Sequence, residues 1–563
     1  MPSISPTELE FVHECIARLA RGRSVVAACL YGSRVAGYSR PDSDIDLLLV
    51  LERFAFGVSY TYIRDRSRGD VSALVIDKRA IEADATKGML GEFVIGRLLH
   101  VYEPLQGSRY LTELERAYKK RVILEETKEL AAISGTLCTE LAFPLEYIHF
   151  SKIKRRSAHY PSAAYSYYKT YSGTNSHRNL GATLLGYERS LEEIRGEDPA
   201  LFESRGKDRI GISERSIKVE GGTVQLKLSS RLKQFGSYLV HTYAGLKVMH
   251  RSVGEAESKL RRRTSRIEPP LSISDPVGQF CTLPEGQLIA ESSRGWIDEY
   301  CLKAGIGAGL VVSKRTRLGN SSSQTRLLEL TSAGSSDSPN IVRKLVVKSL
   351  AVSKSLKWSA LNVWTAPVKR YSVEPLVLLG TQYKGLRFLK HVGLRAPKIE
   401  AIVLDRKLVV TQYIEGVSMA QIITEFLKSG EQSRDNFFIE IAGEQISRVH
   451  SHGASFGNLK PKNILLSDGS LYFTELEQFS RDSKDQAWDI AQFLSWALKR
   501  SSSAESACLL VRKFFQGYLA EGLHPKEVVQ KLAGSRRHLE SFYPVLTPQV
   551  ALAIKNEIKR AAK

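Results

Sequence analysis

Asp44 and Asp46 stand two residues apart around the start of an apolar run, in the stretch Leu30-Tyr31-Gly32-Ser33-Arg34-Val35-Ala36-Gly37, then Ser43-Asp44-Ile45-Asp46-Leu47-Leu48-Leu49-Val50. The pattern reads as a strand, a Gly-Ser turn into a short helix, and a second strand. Strand side chains alternate, so Asp44 and Asp46 share one face while Ile45, Leu47 and Leu49 enter a core. Adjacent carboxylates repel unless a positive charge lies between them, and a hard divalent cation bound through oxygen meets that need. The Gly32-Ser33 turn offers backbone N–H groups and a hydroxyl to a phosphate. Metal and phosphate on one platform are what phosphoryl or nucleotidyl transfer requires. The plainer alternative, a surface strand with an Asp-rich turn at its start, leaves the ordered Gly-Ser, Gly and Asp-x-Asp unexplained.

The order Gly32, Ser33, Gly37, Ser43, Asp44, Asp46 between two apolar strands resembles the polymerase-β-type nucleotidyltransferases over residues 1–110. The resemblance implies transfer of an NMP from an NTP to a hydroxyl. Asp44 and Asp46 would hold two Mg²⁺ (or Mn²⁺) ions, and Gly32 and Ser33 the β/γ phosphates. It also asks for a third carboxylate on a neighbouring strand. The run Asp70-Val71-Ser72-Ala73-Leu74-Val75-Ile76-Asp77 offers Asp70 first and Asp77 second. A Ser72 in that position would leave the triad incomplete and favour a nucleotide-responsive scaffold.

The 563 residues suffice for three or four domains, and a 43% hydrophobic content supports real cores. No apolar run is long enough to span a membrane, and the N-terminus lacks a basic leader, so a cytoplasmic location is expected. Six scattered cysteines without a C-x-x-C pair suggest reduced thiols rather than zinc or disulfides. A net charge of +21 favours a polyanionic partner, RNA before others, although a solvated basic surface gives the same number.

A middle region, 111–270, follows. A helix over Leu90–Leu99 closes the first domain, and a long one runs from Tyr110 to Leu137. Lys152, Lys154, Arg155 and Arg156 precede Tyr160, Tyr165, Tyr167, Tyr168 and Tyr171. Cations interleaved with aromatics suit phosphates and stacked bases, whereas the alternative is a helix with inward tyrosines and a wet basic face. Ile217–Leu228, with Gly221-Gly222 at its centre, reads as a β-hairpin. A helix is expected over Ser230–His250, and Lys259–Pro270 reads as a charged linker.

The segment Phe456-Gly457-Asn458-Leu459-Lys460-Pro461-Lys462-Asn463-Ile464-Leu465-Leu466, with Tyr472-Phe473-Thr474-Glu475-Leu476-Glu477, resembles the catalytic loop and metal strand of the protein-kinase superfamily, especially the RIO and KEOPS-associated types. Lys348 matches the lysine that contacts nucleotide phosphates, Val409–Gly416 the hinge, and Asp489 the aspartate that braces the catalytic loop. The departures weigh more. Asn458 stands where the base aspartate belongs, and an amide accepts no proton. Glu475 replaces the metal-binding aspartate. Gln382 replaces the glutamate that pairs the lysine, which leaves Lys348 without an ionic partner. The glycine-rich loop candidate, Arg317–Ser323, has one glycine.

The expected fold class is therefore a multidomain α/β and α+β chain. It comprises a nucleotidyltransferase fold with a mixed sheet and helices (1–110), a basic α/β middle (111–270), a linker (271–295), a bilobal kinase-like fold (296–530) and a helical extension (531–563). The expected activity is nucleotidyl transfer to RNA, with a pseudokinase module. A protein acceptor, a regulatory RNA-binding scaffold and an atypical protein kinase are the alternatives.

Overall fold

The computed structural model describes residues 4–563 except 56, 66, 221–222, 230, 233–270, 294, 307–309, 319–324, 333–340, 351–357, 360, 364, 366–367, 433–435, 482–484 and 521–522. The expected helix at Ser230–His250, the linker at Lys259–Pro270 and most of the glycine-rich candidate lie outside the described residues. Two compact units form. The first takes Met1–Leu130, Ala142–Lys218 and Gln225–Cys281, and the second Ala131–Leu141, Val219–Val224 and Thr282–Lys563.

In the first unit, helix α1 (Pro6–Ala20) starts at a capping box in which Ser5 and Glu8 satisfy each other's backbone N–H. It packs Phe11, Val12, Cys15 and Ile16 on one face of a five-stranded sheet. Strands β1 (Val25–Tyr31), β2 (Ile45–Leu51), β3 (Val58–Ile63), β4 (Val71–Asp77) and β5 (Glu103–Gln106) lie in the order β3-β4-β2-β1-β5. The sheet is mixed, since β2 and β4 run parallel and β1 lies antiparallel to β2. Alternation does what the sequence predicts: Ile45, Leu47, Leu49 and Leu51 join Val71, Ala73 and Val75 in the core beneath α1. Asp46 takes the other face.

Helices α2 (Ser33–Ala36), α3 (Lys78–Lys87), α4 (Ser108–Ser134), α5 (Leu145–His159), α6 (Pro161–Thr170) and α7 (Ser176–Glu197) follow in chain order. Leu90–Leu99 is not the expected helix. Turns lead to a short 3₁₀ segment, Ile95–Leu99, with Glu92 at φ +62°. The reason is Asp84, whose carboxylate accepts the backbone N–H groups of Leu90, Glu92 and Ile95 and so replaces helical bonding. Two small sheets, β6 (Phe202–Ser204) with β7 (Ile210–Ile212) and β8 (Ile217–Glu220) with β9 (Thr223–Leu226), complete this part of the chain. The last pair is the expected hairpin, its Gly-Gly centre outside the described residues.

In the second unit, β10 (Gln287–Ile289), β11 (Leu310–Leu318), β12 (Thr325–Ser332), β13 (Ile341–Ser349), β14 (Ile399–Val403) and β15 (Leu408–Gln412) form a sheet in the order β10-β14-β15-β13-β12-β11. A helix, Pro375–His391, lies between β13 and β14 in the chain. A three-stranded sheet of β16 (Val417–Ser418), β17 (Ile464–Ser467) and β18 (Ser470–Phe473) follows, with helices Met419–Ser429, Phe437–Ser451, Gln486–Leu498 and Ala504–Tyr518. No helix among the described residues is long and apolar enough to cross a membrane.

Candidate active site

Gly32 ends β1 at φ +80° and ψ −155°, a region open to glycine. A Cβ at this position would fall well inside van der Waals distance of Asp46 Oδ2. The turn therefore lies against the carboxylate because Gly32 has no side chain. Asp46 stands opposite Tyr31 across the β1–β2 pair. Asp44 immediately precedes β2, about 6.6 Å from Asp46 along the extended chain. Neither the Asp44 carboxylate nor the Ser33 hydroxyl has a hydrogen-bond partner among the described residues.

The turn is held from outside the sheet. Arg34 donates to the Ser43 carbonyl at 2.7 Å and pairs with Glu8 at 2.8 Å. Asn175 donates to the Gly37 carbonyl, Arg178 to that of Val35 and Asn179 to that of Ala36, at 3.0, 2.7 and 2.9 Å. The Tyr38 hydroxyl meets Ser166 Oγ at 2.7 Å. The start of α7 thus holds the end of α2 and the Gly37 that follows it, and the middle of α6 meets Tyr38 just beyond. These supports were not apparent in the sequence, since they lie about 130 positions downstream.

The third carboxylate is resolved in part by register. Parallel pairing of β2 with β4 places Ser72 opposite Asp46 and Val71 opposite Ile45. One step earlier, the Asp70 carbonyl accepts the Ile45 N–H at 2.8 Å, which sets Asp70 beside Asp44. Asp77 is not beside Asp44 or Asp46. It lies at the far end of β4, where its carboxylate accepts the N–H groups of Phe54 and Arg79 and caps α3. Edge strand β3 covers the other two: the Tyr62 hydroxyl donates to Asp70 at 2.7 Å, and the Tyr60 hydroxyl meets Ser72. Burial and the Asp70 carboxylate both push the Tyr62 phenol pKa up, so it stays protonated as a donor. Among the described residues no three His, Cys, Asp or Glu side chains form a ready metal cluster.

The expected nucleic-acid contacts are corrected. Lys152 and Arg156 are buried on Glu92, at 2.7 and 3.0 Å, beside Arg121 at 2.8 Å. Lys152 also meets Glu125 at 2.9 Å, and Arg155 pairs with Glu126. These cations satisfy interior carboxylates, so Lys152, Arg155 and Arg156 are not a phosphate groove. Lys154, on the same helix, is also engaged by an interaction within the protein. Tyr160, Tyr167 and Tyr171 are buried as well, so the inward-tyrosine alternative describes this helix pair better.

Residues 12–133 match the family described as nucleotidyltransferase domain. Over that segment the chain is similar to a nucleotidyltransferase domain. No curated protein matches the chain. The matched segment contains the Gly32-Ser33 turn, Asp44, Asp46, Asp70 and Glu92. The domain implies an NTP substrate and a transferase activity.

A second constellation lies in the other unit. Lys348, on β13, is buried and pairs with Glu477 at 2.6 Å, which corrects the expectation that Gln382 leaves it without an ionic partner. Burial alone would lower the Lys348 pKa, but Glu477 and Glu475 more than offset it and hold the ammonium above its ordinary value. Gln382 accepts from Lys348 at 3.3 Å and from Leu476 N–H at 2.8 Å, and donates to the Thr474 carbonyl. Glu475 accepts from Asn463 at 3.0 Å and from Asn458 at 3.4 Å. Asp489 takes the backbone N–H groups of Phe456 and Gly457 at 2.6 and 2.8 Å and so fixes the loop carrying Asn458. Lys460 lies over the Trp496 ring, 4.7 Å from its centre. Sequence reasoning missed Glu477. Its signal was a carboxylate gained two residues after Glu475 while position 382 lost one.

Proposed function

We propose that the chain moves an NMP from an NTP to a hydroxyl acceptor at Asp44 and Asp46. The acceptor oxygen bonds to the α-phosphorus, the bond to the β-phosphate oxygen breaks, pyrophosphate leaves, and the hydroxyl proton passes to solvent. The observation that carries this reading is Asp46 on β2, with Asp44 just before the strand, against a turn that only glycine allows to come so close to Asp46. The donors are all oxygens, which fits a hard cation, and Mg²⁺ commonly takes one or two carboxylates and completes its shell with substrate phosphates and water. Bound here, Mg²⁺ or Mn²⁺ would offset the triphosphate charge and lower the pKa of the attacking hydroxyl. Asp70, beside Asp44 and oriented by Tyr62, is the third carboxylate in this reading. Ser33 and the Gly32 backbone face the β/γ phosphates.

The net charge of +21 favours RNA as the acceptor, with a protein hydroxyl as the alternative. The test is to incubate the protein with each α-labelled NTP, Mg²⁺, and either total RNA or RNA-free cell extract. Label on RNA supports the reading, label on protein redirects the acceptor, and label on neither overturns nucleotidyl transfer.

A specific observation favours a second reading for the other unit: a kinase-like module that does not move phosphate. Lys348 is already neutralised by Glu477, and Asn458 holds Glu475 instead of offering a base. γ-Labelled ATP given to the full chain carrying Asp46→Asn should label nothing. Autophosphorylation lost on Lys348→Ala would contradict this.

A further inference from the structure

Arg97 is a partly buried cation with no ion pair among the described residues. It sits in the 3₁₀ segment Ile95–Leu99 with its guanidinium 5.3 Å from the Tyr31 ring centre and 5.4 Å from that of Phe93. Its Nε is buried without a hydrogen-bond partner, and among the described residues no side chain or carbonyl accepts from the rest of the group. An Nε–H buried without an acceptor is costly, because stacking on rings replaces only part of the lost hydration, and the two terminal nitrogens keep their N–H donors open to an incoming ligand. Asp46 and Tyr31 are among its electrostatic neighbours, and its field also reaches Tyr60, which covers Ser72. The cation therefore borders the carboxylate platform without being consumed by it.

Its placement is built. Gly96, the preceding residue, lies flat against the Arg156 guanidinium, where any Cβ would collide. Arg156 donates to the Glu92 carbonyl at 3.0 Å and to the Glu92 carboxylate at 3.0 Å, and Gly96 N–H donates to the same carbonyl at 3.1 Å. Glu92 is in turn fixed by Lys152, Arg121 and the Tyr118 hydroxyl. The buried hub thus fixes the segment that presents Arg97.

We infer that Arg97 binds the polyphosphate of the NTP, with Arg156 and Glu92 as positioning residues. The inference rests on the nucleotidyltransferase reading of Asp44 and Asp46 and adds a cation to a platform whose own groups are acidic or neutral. A planar guanidinium with free edges suits two phosphate oxygens at once, and the Tyr31 and Phe93 rings hold its plane before the ligand arrives.

The probe is inorganic tripolyphosphate, titrated into the full chain with and without Mg²⁺ and no acceptor. Arg97→Gln should weaken binding on the order of tenfold or more, and Arg97→Lys by less, since a point charge keeps attraction but loses the fork. Arg109→Gln, which removes an exposed cation at the start of α4, should leave it unchanged. Arg97→Gln should melt at or above the wild-type temperature, whereas a structural arginine would lower it. In turnover, the variant should raise the KM for NTP more than it lowers kcat. Tripolyphosphate affinity within twofold of wild type overturns the inference. So does weaker binding of a single-stranded RNA with unchanged tripolyphosphate, which would make Arg97 an acceptor contact. If tripolyphosphate binds through Arg97 but no NTP releases pyrophosphate with any acceptor, the anion site stands and the nucleotidyl-transfer reading fails.

Discussion

The two constellations treat charge in opposite ways. Around the Asp44–Asp46 platform two charged groups, the Asp44 carboxylate and the Arg97 guanidinium, have no hydrogen-bond partner among the described residues. At Lys348 the cation is closed onto Glu477 at 2.6 Å, Gln382 fills its second direction, and two asparagines take up Glu475. The first unit is not simply poor at neutralising charge. A few residues from Arg97, Glu92 is met by Arg121, Lys152 and Arg156, each within 3.0 Å. Buried charge that serves the fold is paired, and partly buried charge left open in a cleft marks a candidate ligand site. On the proposed reading the platform receives an anion and a cation, whereas Lys348 is closed onto side chains of its own unit.

The comparison breaks most visibly if the paired charges prove dispensable. Removing one partner from a fully buried network costs ~3–5 kcal/mol, because the others stay buried without compensation. Glu92→Gln should therefore lower the stability of the first unit by about that amount in denaturant titration, and the RNA salt slope should not report on Lys152 or Arg156 independently of folding. Burial alone would raise the Glu92 pKa, but Lys152, Arg121 and Arg156 hold it far below the carboxylate range. A depressed folded pKa means its contribution is present above the unfolded value of about 4.3 and is withdrawn as pH falls. The difference between wild type and Glu92→Gln should accordingly narrow below about pH 4. A constant difference from pH 7 to pH 3 would contradict the hub.

The open site is sharpened by Gly32→Ala. The new methyl would displace the Asp46 carboxylate, and a misplacement near 1 Å costs about 10²-fold in rate. Pyrophosphate release should fall by that order, with a stability loss of only ~1–3 kcal/mol from the strained φ. Unchanged release would separate Asp46 from the chemistry.

The smallest effect is expected at Lys348. Glu477→Gln leaves Gln382 and Glu475 near the ammonium, so the loss should be about 1–3 kcal/mol. The freed lysine should at the same time photolabel more strongly with azido-ATP in peptides spanning 341–349. No gain of label would mean that Glu477 is not what closes the site.

Local pattern carried the platform. Gly32, Ser33, Asp44 and Asp46 lie within fifteen positions, and period-two alternation decides their faces. The third carboxylate needed the pairing of β2 with β4, two strands separated in sequence by β3, which alternation within one strand does not specify. Basic residues in α5 misled because composition counts charges without their partners, and Glu92, Glu125 and Glu126 lie some thirty to sixty positions upstream. Arg97 went unnoticed because a lone arginine in an apolar segment carries no motif. Its meaning comes from the donors it leaves unused.

The central claim is that Asp44 and Asp46 are the chemical centre. The most direct measurement is transfer of α-labelled NMP to RNA or protein by wild type, Asp44→Asn and Asp46→Asn at equal concentration, alongside thermal melting. Loss of one carboxylate ligand should cost several kcal/mol of transition-state stabilisation. Transfer should fall on the order of 10³-fold or more in each variant, with melting unchanged or slightly raised as repulsion is relieved. Wild-type rates in either variant would contradict the account.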